Sequence, residues 1–184
     1  MCEPGDNALV PQPGFPLCLP ICQNLGVELK YYDLDPENDF DIKLDTIENQ
    51  IDEKTKFILV INPSNPCGSV FSKEHMKEII ALSEKHQIPI VADEIYYGFS
   101  YDENKPFYSF PEVDTKIPII TMGAISKIYG VPGWRLGWII VHNRGGYFDD
   151  ILAKMKTISM IWLHPCSLIQ HALIKILKEV GFFL

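Results

Sequence analysis

Lys127 stands in the segment Ile125-Ser126-Lys127-Ile128-Tyr129-Gly130-Val131-Pro132-Gly133-Trp134-Arg135-Leu136-Gly137-Trp138. Upstream lies Asp93-Glu94-Ile95-Tyr96, directly after the apolar run Ile88 to Ala92. The two segments supply an amine, a guanidinium, a carboxylate and a phenol. An amine that is partly desolvated or set beside a cation is neutral often enough to attack an aldehyde. A guanidinium grips a phosphate through a bidentate fork. A carboxylate at the end of an apolar run is poorly solvated and requires a charged or hydrogen-bonding partner.

One cofactor satisfies all of these demands. Pyridoxal phosphate has an aldehyde for Lys127, a phosphate for Arg135 and a pyridine nitrogen for Asp93, and a carboxylate that keeps this nitrogen protonated makes the ring an electron sink. The Tyr96 hydroxyl, three residues after Asp93, could reach the same ring. Asn62-Pro63-Ser64-Asn65-Pro66-Cys67-Gly68 is a turn made rigid by two prolines, a rigidity that would matter if the Asn65 amide had to hold a ring oxygen. Phe15, after Pro11-Gln12-Pro13-Gly14, can offer its face to a flat ring. Each residue taken singly also has a plainer reading. Lys127 is then a surface lysine, Asp93 a helix N-cap, Tyr96 a half-buried tyrosine, Phe15 a core aromatic and the Asn65 turn merely a loop.

Length and composition set the frame. With 184 residues, a chain of this kind buries about 70% of its unfolded surface. Apolar residues make up 47% and charged residues 22%, which is ordinary for a globular protein. The net charge of −8 and the absence of any Lys/Arg-rich stripe argue against a nucleic-acid partner. No apolar stretch approaches the ~18 residues that a membrane helix needs, so no membrane partner is expected. Five cysteines (Cys2, Cys18, Cys22, Cys67 and Cys166) form no CxxC pair. They are expected to be reduced thiols in a cytoplasmic protein, with no metal site.

The elements that must position these residues alternate between strand and helix. Ala8 to Val10, Val27 to Leu34, Phe57 to Ile61, Ile88 to Ala92, Ile117 to Met122 and Leu136 to His142 read as strands. Phe57-Ile58-Leu59-Val60-Ile61 is continuously apolar, as expected of a parallel strand buried on both faces. Helices are predicted over 17–25, closed by Gly26, over 41–50, after the Ser72 cap, over 147–160 and over 165–179. His75 occupies the position at which Glu or Gln would complete a capping box. The alternation predicts an α/β fold with a mostly parallel sheet flanked by helices. In such sheets ligands bind beyond the carboxyl ends of the strands, where Asn62 to Gly68, Asp93 and Gly123 to Lys127 all fall.

Five segments carry a family resemblance: Pro4-Gly5-Asp6-Asn7-Ala8-Leu9-Val10-Pro11, Ile51-Asp52-Glu53-Lys54-Thr55, Asn62 to Lys73, Ala92-Asp93-Glu94-Ile95-Tyr96 and Val131-Pro132-Gly133-Trp134-Arg135-Leu136-Gly137-Trp138. In order, they resemble the fold-type I pyridoxal phosphate aminotransferases, in the branch that holds the tyrosine aminotransferases. The resemblance implies that Lys127 condenses with the cofactor and then moves the proton. It further implies that Asp93 pairs with the pyridine nitrogen, that Tyr96 and Asn65 hold the phenolic oxygen, that Arg135 binds the phosphate and that Phe15 stacks on the ring. It also implies an amino acid and a 2-oxo acid as substrates, aromatic amino acids first, and a homodimer.

Where many relatives have a phosphate-binding serine three residues before the lysine, this chain has Ala124. The chain is expected to be a single incomplete cofactor domain over 1–184, without the family's N-terminal phosphate loop and without its C-terminal small domain. Two alternatives stand beside the aminotransferase. One is a lyase or synthase of the same fold and cofactor; the other is a truncated product that is not a catalyst.

Overall fold

The computed structural model describes residues 1–114 and 116–179. Its spine is the apolar run predicted as a strand, which extends to Thr55–Ile61 (β4). Ile58 and Val60 pack into one core cluster and Leu59 and Ile61 into another, because successive side chains of a strand point to opposite faces. Both faces are apolar, so both must be covered.

The other strands are Asn7–Gln12 (β1), Glu28–Asp35 (β2), Asp41–Ile42 (β3), Ile90–Asp93 (β5), Ile119–Ala124 (β6) and Gly137–His142 (β7). They form one seven-stranded sheet in the order β3-β2-β1-β4-β5-β6-β7. β2, β1, β4, β5 and β6 run parallel, and the pairings of β3 with β2 and of β7 with β6 are antiparallel. The predicted α/β fold with a mostly parallel sheet is the one observed.

Helices Cys18–Leu25 (α1), Leu44–Glu48 (α2), Lys73–His86 (α3), Phe110–Val113 (α4), Ile125–Ile128 (α5), Asp149–Trp162 (α6) and Ser167–Glu179 (α7) complete the chain. α3 contributes Met76, Ile79 and Ile80 to the cluster around Ile58 and Val60. Phe148, at the start of α6, is fully buried in the opposite cluster with Ile151 and Leu152. α1 stops at Gly26, whose φ of 67° supplies the left-handed turn that releases the chain into β2.

Two local expectations are corrected. The helix predicted over 41–50 is split: Asp41 and Ile42 are a short strand against Asp35 and Leu34, and only Leu44–Glu48 is helical. The reason is distant in sequence, since the Ile42 N–H donates to His75 Nε2 at 2.9 Å. His75 is therefore no flawed capping box. Its N–H is capped by Ser72 Oγ at 3.1 Å, its Nε2 accepts from Ile42, and its Nδ1 meets Glu78 Oε2 at 3.1 Å.

Candidate active site

The registers Ile61↔Asp93 and Asp93↔Met122 bring the carboxyl ends of β4, β5 and β6 level with one another. The Asn62 N–H donates to the Asp93 carbonyl at 3.1 Å and the Glu94 N–H to the Met122 carbonyl at 2.9 Å. Three loops therefore leave the sheet side by side, one bearing Asn65, one Tyr96 and one Lys127.

The first loop is internally braced. Asn62 Oδ1 accepts the Phe71 N–H at 3.0 Å, and Ser64 and Ser69 are joined through their backbones at 2.9 Å. Asn65 sits half-buried in this frame. It lines a cavity of about 720 Å³ together with Pro63, Tyr96, Phe99 and Lys105. Two buried polar atoms of the same loop, Asn62 Nδ2 and Ser69 Oγ, have no partner among the described residues.

Asp93 is the last residue of β5, half-buried, and burial raises the pKa of its carboxyl group. Its Oδ1 accepts the Ile95 N–H at 3.1 Å. A turn follows it, not the helix that an N-cap reading requires. The Cys18 thiol, on α1, lies close enough to feel this carboxylate. Burial chiefly, and then the Cys22 and Asp93 charges, push the thiol upward.

Lys127 belongs to the short helix α5. Its Nζ lies 5.7 Å from the centroid of the Tyr96 ring, a cation–π distance. The side chain is exposed, so the desolvated setting expected for such an amine is not found within this chain. Tyr96 is in turn held edge-on by Phe99, with centroids 6.2 Å apart. Ala124 offers α5 no side-chain cap.

Arg135 follows the 3₁₀ turn Pro132–Trp134 and adopts φ 50°, ψ 40°. This left-handed conformation costs a non-glycine residue about 1–3 kcal/mol and is concentrated at functional positions. The guanidinium is exposed, and its Nη1 donates to the Pro132 carbonyl at 2.8 Å. Phe15 lies in the β1–α1 loop, 47% exposed. Gly14 before it is required, because a Cβ there would come within 2.5 Å of the Pro11 carbonyl oxygen. The structure thus gathers Asn65 and Tyr96 on one cavity and Tyr96 and Lys127 in one contact, with Asp93 at the same sheet edge. Phe15 lies on the β1–α1 loop and Arg135 farther along the β6–β7 connection that carries Lys127, and both present exposed side chains.

Sequence reasoning passed over Glu94 and Cys18. Glu94 is buried beside Asp93, and its place just beyond an apolar run was the available signal. Cys18 stood only among five cysteines without a CxxC pair.

Residues 1–183 match the family model described as aminotransferase class I and II. The chain belongs to that family. It is 42% identical over 180 residues to tyrosine aminotransferase of Mus musculus, covering 97% of this chain and 39% of that protein. The crystal structure of tyrosine aminotransferase from Leishmania infantum superposes with a TM-score of 0.92 at 35% identity, covering 97% of this chain and 48% of that one. An S-alkyl-thiohydroximate lyase of Arabidopsis thaliana is 36% identical over 181 residues, 97% of this chain and 39% of that protein. The chain therefore spans about two fifths of the length of these curated relatives.

Two of the family-like segments lie remote from the site. Asn7 and Thr55 are the first residues of β1 and β4, at the opposite edge of the sheet. Asn7 Nδ2 donates to Asp52 Oδ1 at 2.8 Å, Thr55 Oγ1 to Asn7 Oδ1 at 2.7 Å and Lys30 Nζ to Asp52 Oδ2 at 2.7 Å. The family-like segments 4–11 and 51–55 thus close a structural network, not a catalytic one.

Proposed function

We propose that this chain carries the cofactor-binding and proton-transferring residues of an aminotransferase that moves an amino group from an aromatic amino acid to a 2-oxo acid with pyridoxal phosphate. One observation carries the reading: the amine of Lys127 lies against the ring of Tyr96 at the edge where the half-buried Asp93 ends its strand. The donor set fits the cofactor. Asp93, raised by burial, gains from a protonated ring nitrogen beside it. Tyr96 and Asn65 present a hydroxyl and an amide for a phenolic oxygen, Arg135 a guanidinium for the phosphate and Phe15 an aromatic face. When bound, the cofactor supplies the electron sink that makes the substrate α-proton acidic.

The chain's own residues divide the remaining work. Lys127 Nζ, once free, takes the proton at the substrate α-carbon and returns it one position along. Tyr96 keeps that amine over its ring, and Asp93 holds the positive charge on the ring nitrogen. We also assign a second copy of the chain as partner. Support comes from the exposed apolar C-terminal end of α6, where Met160 is 78%, Ile161 74% and Trp162 83% exposed, and from the family. The five free cysteines support a reducing, cytoplasmic setting.

The test is an absorbance spectrum taken after the chain is mixed with pyridoxal phosphate and desalted, followed by assay with tyrosine and a 2-oxo acid. A retained band that Lys127→Ala abolishes, with formation of the matching new 2-oxo acid, is the expected result. A band and turnover that survive Lys127→Ala would overturn the assignment. The likeness to an S-alkyl-thiohydroximate lyase keeps a second reaction in view, and release of an eliminated side chain in place of a 2-oxo acid would select it. Absence of any retained band would leave the third reading, a chain that bears the residues without a working site.

A further inference from the structure

Glu94 is the only buried carboxylate among the described residues, 4% exposed. Its Oε2 accepts the Ser109 hydroxyl at 2.7 Å and its Oε1 the Phe110 N–H at 2.9 Å. Its backbone is fixed as well: the N–H donates to the Met122 carbonyl and the carbonyl accepts from the Tyr97 N–H, each at 2.9 Å. Ser109 caps α4, and Phe110 is fully buried in the cluster below it. Glu94 therefore fastens the far end of the 95–109 segment to the end of β5, and that segment carries Tyr96.

The side chain cannot itself meet a group bound at Asp93. Neighbouring residues of an extended chain point to opposite faces. Asp93 faces the side where the Cys18 thiol feels its charge. Glu94 lines a separate cavity of about 370 Å³ with Thr121, Gly123 and Trp138. We propose that Glu94 is a positioning residue: its two hydrogen bonds to Ser109 and Phe110 set the segment that holds the Tyr96 ring against Lys127. The proposal rests on the reading of Tyr96 and Lys127 as cofactor residues.

The clamp tolerates a proton. Burial raises Glu94 to about 7, and the titratable groups facing it are Asp93, Glu112, Tyr97 and His142. In the protonated acid one oxygen still accepts the Phe110 N–H, while the O–H turns to donate to Ser109 Oγ. A side-chain amide has the same capacity, an oxygen to accept and an N–H to donate. Glu94→Gln therefore keeps both contacts and Glu94→Ala loses both.

The experiment reads the ring-current displacement that Tyr96 imposes on the Lys127 ε-methylene protons, by NMR of the lysine-labelled chain without cofactor. Isoleucine methyl resonances of Ile58 and Ile90 report whether the sheet is intact. Glu94→Ala is expected to lose the displacement with those methyl resonances in place, Ser109→Ala to weaken it and Glu94→Gln to retain it. Should Glu94→Ala not fold, Ser109→Ala and Glu94→Gln decide. An unchanged displacement in Ser109→Ala or in folded Glu94→Ala overturns the proposal, as does a complete loss in Glu94→Gln. Retention of pyridoxal phosphate by the same variants is read by absorbance in parallel. A parent chain that holds no cofactor yet shows the expected NMR pattern would sink the cofactor reading and leave the clamp standing.

Discussion

Trp138 packs over Gly123 across the β6–β7 pair: a Cβ built on Gly123 would fall 2.7 Å from the indole Cε2 and Nε1. The two residues are also register partners in the sheet. The contact lies directly ahead of the helix that carries Lys127.

Gly123→Ala is accordingly expected to overpack this contact. Forcing a methyl group into a filled space costs about 1–3 kcal/mol. A lower midpoint in urea with an unchanged slope is the expected signature. A midpoint equal to the parent's would mean that the indole moves aside freely.

Gly14→Ala tests the aromatic wall. The new methyl group would meet the Pro11 carbonyl oxygen, a backbone atom with no rotamer to escape by. The loop must shift and take Phe15 with it. Cofactor retention is expected to fall more than thermal stability does, since Phe15 is half exposed and contributes little core. A loss of melting temperature with normal cofactor retention would contradict the assigned stacking role.

The buried acid gives stability a pH dependence of defined sign. Glu94 titrates near 7 in the folded chain against an unfolded reference of 4.5. Its folded pKa is raised, so its contribution is full below the unfolded value and is lost as pH rises through the folded one. The upper bound is about 3 kcal/mol, at 1.36 kcal/mol per pKa unit. Asp93, also raised by burial, adds in the same direction. Melting temperature should therefore decline from about pH 4.5 to 7 and level off above it, and Glu94→Gln should flatten that decline. An equally steep decline in Glu94→Gln would assign the dependence to other groups.

The C-terminal end of α6 offers a test of association. Met160, Ile161 and Trp162 are exposed together, and contiguous apolar patches of this kind mark interaction surfaces. Light scattering across a concentration series is expected to show self-association in the parent and its loss in the variant that combines Met160→Ser with Trp162→Ser. Equal masses for both would remove this patch from the interface.

The elements legible in the sequence were those governed by local rules. The run Phe57 to Ile61 announced a strand buried on both faces, Ser72 announced the start of α3, and Gly26 announced the end of α1. The split of the 41–50 segment was not legible, because it depends on Leu34 pairing with Ile42 and on the ring of His75. The types of Lys127, Asp93 and Tyr96 pointed to their chemistry. Their common sheet edge was legible as well, but the contact of Lys127 with Tyr96 was not, since it follows from the register of β5 with β6, and the return of Arg135 to that edge follows from the reversal of β7. The role of Glu94 was hidden for a similar reason: its partners Ser109 and Phe110 lie on another element, beyond the reach of any periodicity.

That reversal has a further consequence. Because β7 runs against β6, Gly137 pairs with Ala124, and the chain returns to the ligand edge at the start of the strand, not at its end. Lys127 and Arg135 are thus held in one hairpin cap whose two feet are fixed by a single rung of the ladder. Parallel pairing would have required a crossover and delivered the two cations to opposite rims. The separation of amine and guanidinium is therefore a caliper setting, bounded by the length of the cap between those feet. Lengthening or shortening the cap between those feet would retune the reach from one cation to the other while leaving the sheet untouched.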